Sequence, residues 1–162
     1  MFAHWATAQA QAVAAHLLGV PTAFPRPEHN SAVIFTSPEI GMVGLTEEAA
    51  RTAGIDAAVA EYDYRGDART QISGDAFGRL RIVHRVDDRR VIGVHALVEG
   101  AGDLMGEAAL VVRHGLTLDQ VATAIHPHPT LTEAFGLAAL HAGSGNGVPA
   151  TTELRREAMV QA

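Results

Sequence analysis

Eight consecutive residues, His126-Pro127-His128-Pro129-Thr130-Leu131-Thr132-Glu133, hold the densest chemistry in the chain. Three arrangements are open to them. In the first, Thr130 and Glu133 form a capping box ahead of an apolar run, and the two prolines stop a preceding helix and fix an extended entry. In the second, His126 and His128 are metal ligands. Extended residues two apart point to one side, and Glu133 would be the third ligand, but an H-x-H pair with one carboxylate is a weak signal. In the third, His128 is a general acid/base. Imidazole titrates near neutrality and carries protons well when a second group fixes its tautomer and stabilises the imidazolium. Glu133, at the start of a helix, can accept from the His128 ring, and its two oxygens can be divided between that ring and a backbone N–H.

The composition bounds what else the chain can do. It has 162 residues and a mass of 17.0 kDa, enough for one domain with a tail. With 48% hydrophobic and 19% charged residues it has a soluble globular composition. It contains no cysteine, so this chain alone makes no disulfide, zinc–thiolate site, thiol nucleophile or dithiol redox pair. All 12 basic residues are arginine, which excludes a Schiff-base lysine and a P-loop lysine. A formal charge of −6 argues against a nucleic-acid partner. No stretch approaches the ~20 apolar residues of a membrane span. His4, Gln9, Gln11 and His16 interrupt the start of the chain, which has no basic region, unlike a secretory signal. The expected compartment is the cytoplasm. His84, His95, His114 and His141 fall on strand faces and helix ends and are assigned no role, and Asp87-Asp88 reads as a solvated turn.

The elements that must position the eight residues follow from periodicity. Ala3 to Leu18 reads as an Ala-rich helix ended by Gly19 and Pro21, with Trp5, Val13 and Leu17 as its apolar stripe. Ala32 to Thr36 and Ile40 to Leu45 read as short strands around a Ser37-Pro38-Glu39 turn. Thr46 reads as the N-cap of a short helix with Glu47 and Glu48 in its first turn. Ala57 to Tyr64 and Ala68 to Ile72 read as strands. Phe77 to Arg85 alternates, with Leu80 and Ile82 on one face and Arg79 and Arg81, a solvated face, on the other. It returns as Val91 to Val98, whose apolar residues suggest cover on both sides. Ala101 to Arg113 is amphipathic through Leu104, Ala108, Val111 and Val112, and His114-Gly115 closes it. Shorter helices are expected over Thr117 to Ala124 and Leu131 to His141. A Gly-rich break from Gly143 to Gly147 and a tail helix from Thr151 follow. The order predicts an α+β fold: an antiparallel sheet of about four or five strands with packed helices, preceded by an N-terminal helix.

The run from His126 to Glu133, continued by Ala134-Phe135, resembles the signature near the C-terminus of the pyridine nucleotide–disulfide oxidoreductases, in the form found in dihydrolipoyl dehydrogenases. Ile34-Phe35-Thr36-Ser37-Pro38-Glu39-Ile40 and Val43-Gly44-Leu45-Thr46-Glu47-Glu48-Ala49 resemble the opening of that family's dimerisation domain. Gly78-Arg79-Leu80-Arg81-Ile82-Val83 resembles its hairpin, with Arg81 where the family often has lysine. Ile92-Gly93-Val94-His95 and the helix from Ala101 also correspond. Met1-Phe2-Ala3-His4 is similar to a family run in which the backbone at a helix N-terminus touches the flavin ring. The resemblance implies a chain that starts inside a motif. Residues 1–29 would be a helix and linker from the end of an FAD domain, 30–141 the dimerisation domain, and 142–162 a flexible tail.

In full-length relatives, FAD and NAD(P)H domains and a redox disulfide precede this point, and the histidine of one subunit faces the flavin and disulfide of the other. Carried over, His128 is the acid/base for a substrate thiol, and Glu133 orients it. Met1, Phe2, Ala3 and His4, with the backbone at His128 and Pro129, lie near a flavin. The resemblance implies FAD and NAD(P) in the whole enzyme, with neither bound and no turnover by this chain alone. It implies a homodimer or a flavoprotein subunit as partner and a disulfide or dithiol substrate, with no metal, membrane or nucleic acid. Leu131 and Ala134-Phe135-Gly136 lean towards dihydrolipoamide. The choice between NAD and NADP would lie in another domain. The competing expectation is a non-catalytic dimerisation or interaction module from a truncated gene.

Overall fold

Alternating apolar residues gather the centre of the chain into one antiparallel sheet. A computed structural model describes residues 2–143, so Met1, the Gly-rich break beyond Gly143 and the expected tail helix lie outside the described residues. The five strands are β1 (Ala32–Ile34), β2 (Ile40–Gly44), β3 (Ala57–Asp63), β4 (Gly78–Arg85) and β5 (Val91–Val98), in the order β1-β2-β5-β4-β3. Every neighbouring pair is antiparallel. The helices are α1 (Ala3–Leu17), α2 (Glu47–Thr52), α3 (Ala68–Ser73), α4 (Ala101–His114), α5 (Leu118–Ala122) and α6 (Glu133–Gly143). This is the α+β class and strand number expected from the sequence.

The β4–β5 hairpin carries the core. Leu80 and Ile82 of β4 and Val94 and Val98 of β5 are fully buried, in one cluster with Leu104 and Ala108 of α4 and Phe135 and Ala138 of α6. On the other face of β4, Arg79 pairs with Glu61 at 2.7 Å and Arg81 with Glu47 at 3.2 Å. Such half-exposed pairs are worth little, about 0–1 kcal/mol each. β5 is covered on both sides only at its start. Gly93 lies under Leu45, whose carbonyl oxygen is 2.0 Å from where a Cβ would be, so only glycine admits this crossing. Towards its end, Leu97 is 37% exposed. Helix α4 starts from Gly100, which has no side chain to cap it. The Glu39 carboxylate accepts from the Gly102 N–H at 2.8 Å instead, tying the turn before β2 to the helix end.

Three expectations are corrected. Ala68 to Ile72 is not a strand but lies in α3. The Asp67 carboxylate accepts from the N–H groups of Arg69 and Thr70 at 2.9 and 3.0 Å, and Gly74 ends the helix in the left-handed conformation. β-branched Thr70 and Ile72 carried the strand signal, and a strong N-cap overrode it. The expected stripe of α1 holds only at Trp5, which is half-buried: Val13 is 48% and Leu17 78% exposed, while Ala12 is buried. Trp5, Ala8, Ala12 and Ala15 of α1 line a cavity with Gly106 and Ala109 of α4. Finally, α6 begins at Glu133 rather than Leu131, and it runs through Gly143 rather than stopping at His141.

Candidate active site

The stretch between α5 and α6 is shaped by what it cannot do. Pro127 and Pro129 lack N–H groups and keep it out of a helix. The His128-Pro129 peptide is cis. The Thr130 hydroxyl donates to the Pro127 carbonyl at 2.7 Å and lies 2.9 Å from the Thr132 hydroxyl. From beneath, Tyr64 fixes the stretch: it is fully buried directly after β3, and its hydroxyl donates to the Leu131 carbonyl at 2.9 Å. Tyr62 packs edge-on against it, with ring centroids 5.3 Å apart, and donates to Asp67 at 3.1 Å. Burial, then the Asp67 carboxylate, pushes the Tyr62 phenol up to about 12, and burial raises Tyr64 as well. Both therefore stay protonated donors at neutral pH.

Glu133 divides its carboxylate. One oxygen accepts from the Thr130 N–H at 2.9 Å, and the two oxygens lie 3.0 and 3.1 Å from His128 Nδ1. The capping box is thus half made, because the Thr130 hydroxyl bonds to Pro127 and Thr132 instead of a helix N–H. An ionised carboxylate only accepts, so His128 carries its proton on Nδ1 and leaves Nε2 as the basic position. One carboxylate thus makes both the backbone contact of the capping arrangement and the contact to the His128 ring that the acid/base arrangement requires. The His128 side chain is 70% exposed and that of Glu133 21%. His126 does not share this carboxylate: its Nε2 lies 2.9 Å from Glu107 of α4. The H-x-H pair is therefore engaged by two different carboxylates. Among the described residues no group of three or more His, Asp or Glu could hold a metal ion.

Two expected outcomes follow from this geometry. Tyr64→Phe should remove the donor from a carbonyl that fixes the site and cost about 1–2 kcal/mol in urea unfolding. The second concerns pH. The Thr130 N–H first, and then the His128 ring, hold the Glu133 carboxyl below the usual glutamate range. A depressed carboxyl contributes its stabilisation above the unfolded pKa and loses it as pH falls through the folded one. The His128–Glu133 contact should therefore be complete at neutral pH and fade only at acid pH below the ordinary glutamate midpoint. The carboxyl carbon shift of Glu133, followed by NMR, reads that midpoint directly.

The second group of expected site residues lies at the other end of the chain. Phe2 caps α1 without a side-chain hydrogen bond, so the first N–H groups of a 15-residue helix are left for another acceptor. The Phe2 and His4 rings stack with centroids 5.4 Å apart, and His4 Nε2 bonds to the Ser31 carbonyl at 2.8 Å. Phe2 and His4 line a cavity with Val33, Phe35 and Met105, and His128 and Pro129 are not among its lining residues. Met1 lies outside the described residues. Sequence reasoning missed Tyr64, whose partner is 67 residues away, and weighed His126 only as a metal ligand with no sign of Glu107. No helix among the described residues is long and apolar enough to cross a membrane.

Comparison with known proteins matches residues 30–139 to the model of the pyridine nucleotide-disulphide oxidoreductase dimerisation domain. The chain is 36% identical over 116 residues to mitochondrial dihydrolipoyl dehydrogenase of Bos taurus and of Homo sapiens, covering 72% of this chain and 23% of each relative. It thus spans about a quarter of the length of these relatives. Among solved structures it superposes on LpdA from Mycobacterium tuberculosis with a TM-score of 0.76 and 25% identity, covering 80% of this chain and 28% of that one. It also superposes on the HOCl-induced flavoprotein disulfide reductase RclA from Escherichia coli with a TM-score of 0.72 and 23% identity, covering 80% and 30%, a likeness of fold alone.

Proposed function

The chain belongs to the dimerisation-domain family of the pyridine nucleotide-disulphide oxidoreductases, and on that premise we propose that it supplies an acid/base pair, His128 and Glu133, to the flavin–disulfide site of a partner subunit. The observation that carries this reading is that, among the described residues, His128 is bonded through Nδ1 while Nε2 has no partner. The ring is fixed through Nδ1, yet its side chain is 70% exposed, which leaves the ring accessible to a molecule from outside. A group poised in this way serves a reacting molecule that arrives from outside.

The chemistry assigned to the chain is proton transfer. His128 Nε2 takes the proton of a substrate thiol, and Glu133 stabilises the imidazolium that forms. In the reverse direction the imidazolium returns the proton to the leaving thiolate. A bound flavin beside a redox disulfide would supply the electron path to NAD(P). The residues that would face the flavin are the N-terminal backbone of α1 at Phe2, Ala3 and His4, whose bare N–H groups suit an acceptor-rich ring, and the backbone at His128 and Pro129 of the partner. The substrate is a disulfide or dithiol. The relatives named dihydrolipoyl dehydrogenase support dihydrolipoamide among the candidates. By this reading the chain alone does not turn over.

A two-fold partner is part of the proposal. Phe35 is 81% and Ile125, next to the site, 99% exposed, and a two-fold partner would offer both apolar cover. Sedimentation velocity of the purified chain at micromolar concentration should show a dimer. A monomer with a dispersed, folded NMR spectrum would contradict the homodimer. The competing reading, an interaction module with no catalytic role, predicts that His128→Ala is silent in every assembly the chain forms.

A further inference from the structure

We propose that Glu107 and His126 are positioning residues for His128, a step that rests on the acid/base reading above. The stretch that carries His128 has few means of attachment. Ile125 is 99% exposed, and Pro127 and Pro129 have no N–H. Downstream the stretch is tied by Tyr64 to the Leu131 carbonyl at 2.9 Å. Upstream the tie is the His126 ring, 11% exposed, with Nε2 2.9 Å from Glu107 on α4. Gly136 on α6 makes room for that ring: a Cβ there would lie 3.3 Å from Nδ1 and 3.5 Å from Cε1. His126 is thus wedged between α4 and α6, and His128 is suspended between two fixed points.

The two imidazoles are held as opposite tautomers. The Glu107 carboxylate only accepts, so it selects the Nε2–H form of His126. Glu133 selects the Nδ1–H form of His128. A ring displaced by as little as an ångström loses much of its rate advantage, so the Glu107–His126 tie acts on the chemistry through geometry and not by touching substrate.

The test uses nitrogen-15 NMR of the histidines in this chain. At neutral pH, unaltered protein should show His126 protonated on Nε2 and His128 on Nδ1. Glu107→Ala should shift His128 from the Nδ1–H form towards the Nε2–H form that free histidine prefers, while the amides of β4 and β5 keep their positions. Glu107→Gln, whose amide oxygen can still accept from Nε2–H, should restore it. Should the alanine form not fold, Glu107→Asp, one methylene shorter, makes the same comparison. In an enzyme carrying the flavin and nicotinamide domains, Glu107→Ala should lower kcat about ten- to hundredfold with KM unchanged, and Gln should recover most of it. An unchanged His128 tautomer, or a shifted tautomer with unchanged kcat, would overturn the proposal. If His128→Ala itself leaves turnover intact, the acid/base reading fails instead, and the tautomer measurement on Glu107→Ala still stands on its own.

Discussion

Replacing His128 with alanine should lower thiol–disulfide turnover by roughly 10²–10⁴ in an enzyme where this domain is joined to flavin and nicotinamide domains. The size follows from the role. Nε2 is the one position of the pair that is free to move a proton, and no other group in the stretch from His126 to Glu133 replaces it. The His126 ring is committed to Glu107 and 11% exposed. Reduction of the flavin by NAD(P)H involves no thiol proton and should keep its rate, so stopped-flow separation of the two half-reactions checks the assignment. Stability should change by under about 0.5 kcal/mol, because the His128 side chain is 70% exposed. Loss of rate without loss of fold is the signature of a chemical role. Equal loss of both half-reactions would point to a structural one.

The largest effect on stability is expected at Phe135. It is fully buried in the first turn of α6, within the same cluster as Leu80, Ile82 and Leu104, and its N–H donates to the Thr132 carbonyl at 3.0 Å. Phe135→Ala should cost about 3–5 kcal/mol, the usual penalty for emptying an aromatic site in a packed core. Domains of this size have only about 5–15 kcal/mol in total, so the urea midpoint should fall steeply with the slope preserved. Glu133 lies two residues before Phe135 on the same helix. Because the slope is preserved, the His128–Glu133 contact should be lost in the same transition as the sheet, at the lowered midpoint. A penalty below about 1 kcal/mol would mean that α6 is not docked as described.

These two residues also mark what the sequence could and could not reveal. The β4–β5 hairpin and α4 were legible because each buries one regular face, and a period of two or 3.6 leaves its trace in any such element. The Thr46 cap of α2 was legible for a similar reason: a cap is local, and its hydroxyl meets the Ala49 N–H three residues on at 3.1 Å. Where local signals conflict, the reading fails. Thr70 and Ile72 favour a strand, yet the two Asp67 hydrogen bonds make a helix of the same residues. In α1 two of the larger residues mislead, since Val13 and Leu17 are exposed while Ala12 is buried. At the site, His128 and Glu133 were found because they are five residues apart. Tyr64 and Glu107 could not be, because their partners lie 67 and 19 residues away and only the folded sheet brings them together.

Sharing of the site between subunits is tested most directly by mixing two inactive forms of the whole enzyme. One form carries His128→Ala and an intact redox disulfide. The other keeps His128 and has its redox cysteines replaced by serine. After unfolding and reassembly together, hybrid dimers contain one site that combines His128 of one subunit with the disulfide of the other. Random pairing should then restore about a quarter of the unaltered activity. Mixtures as inactive as their separate components would contradict a site completed across the dimer.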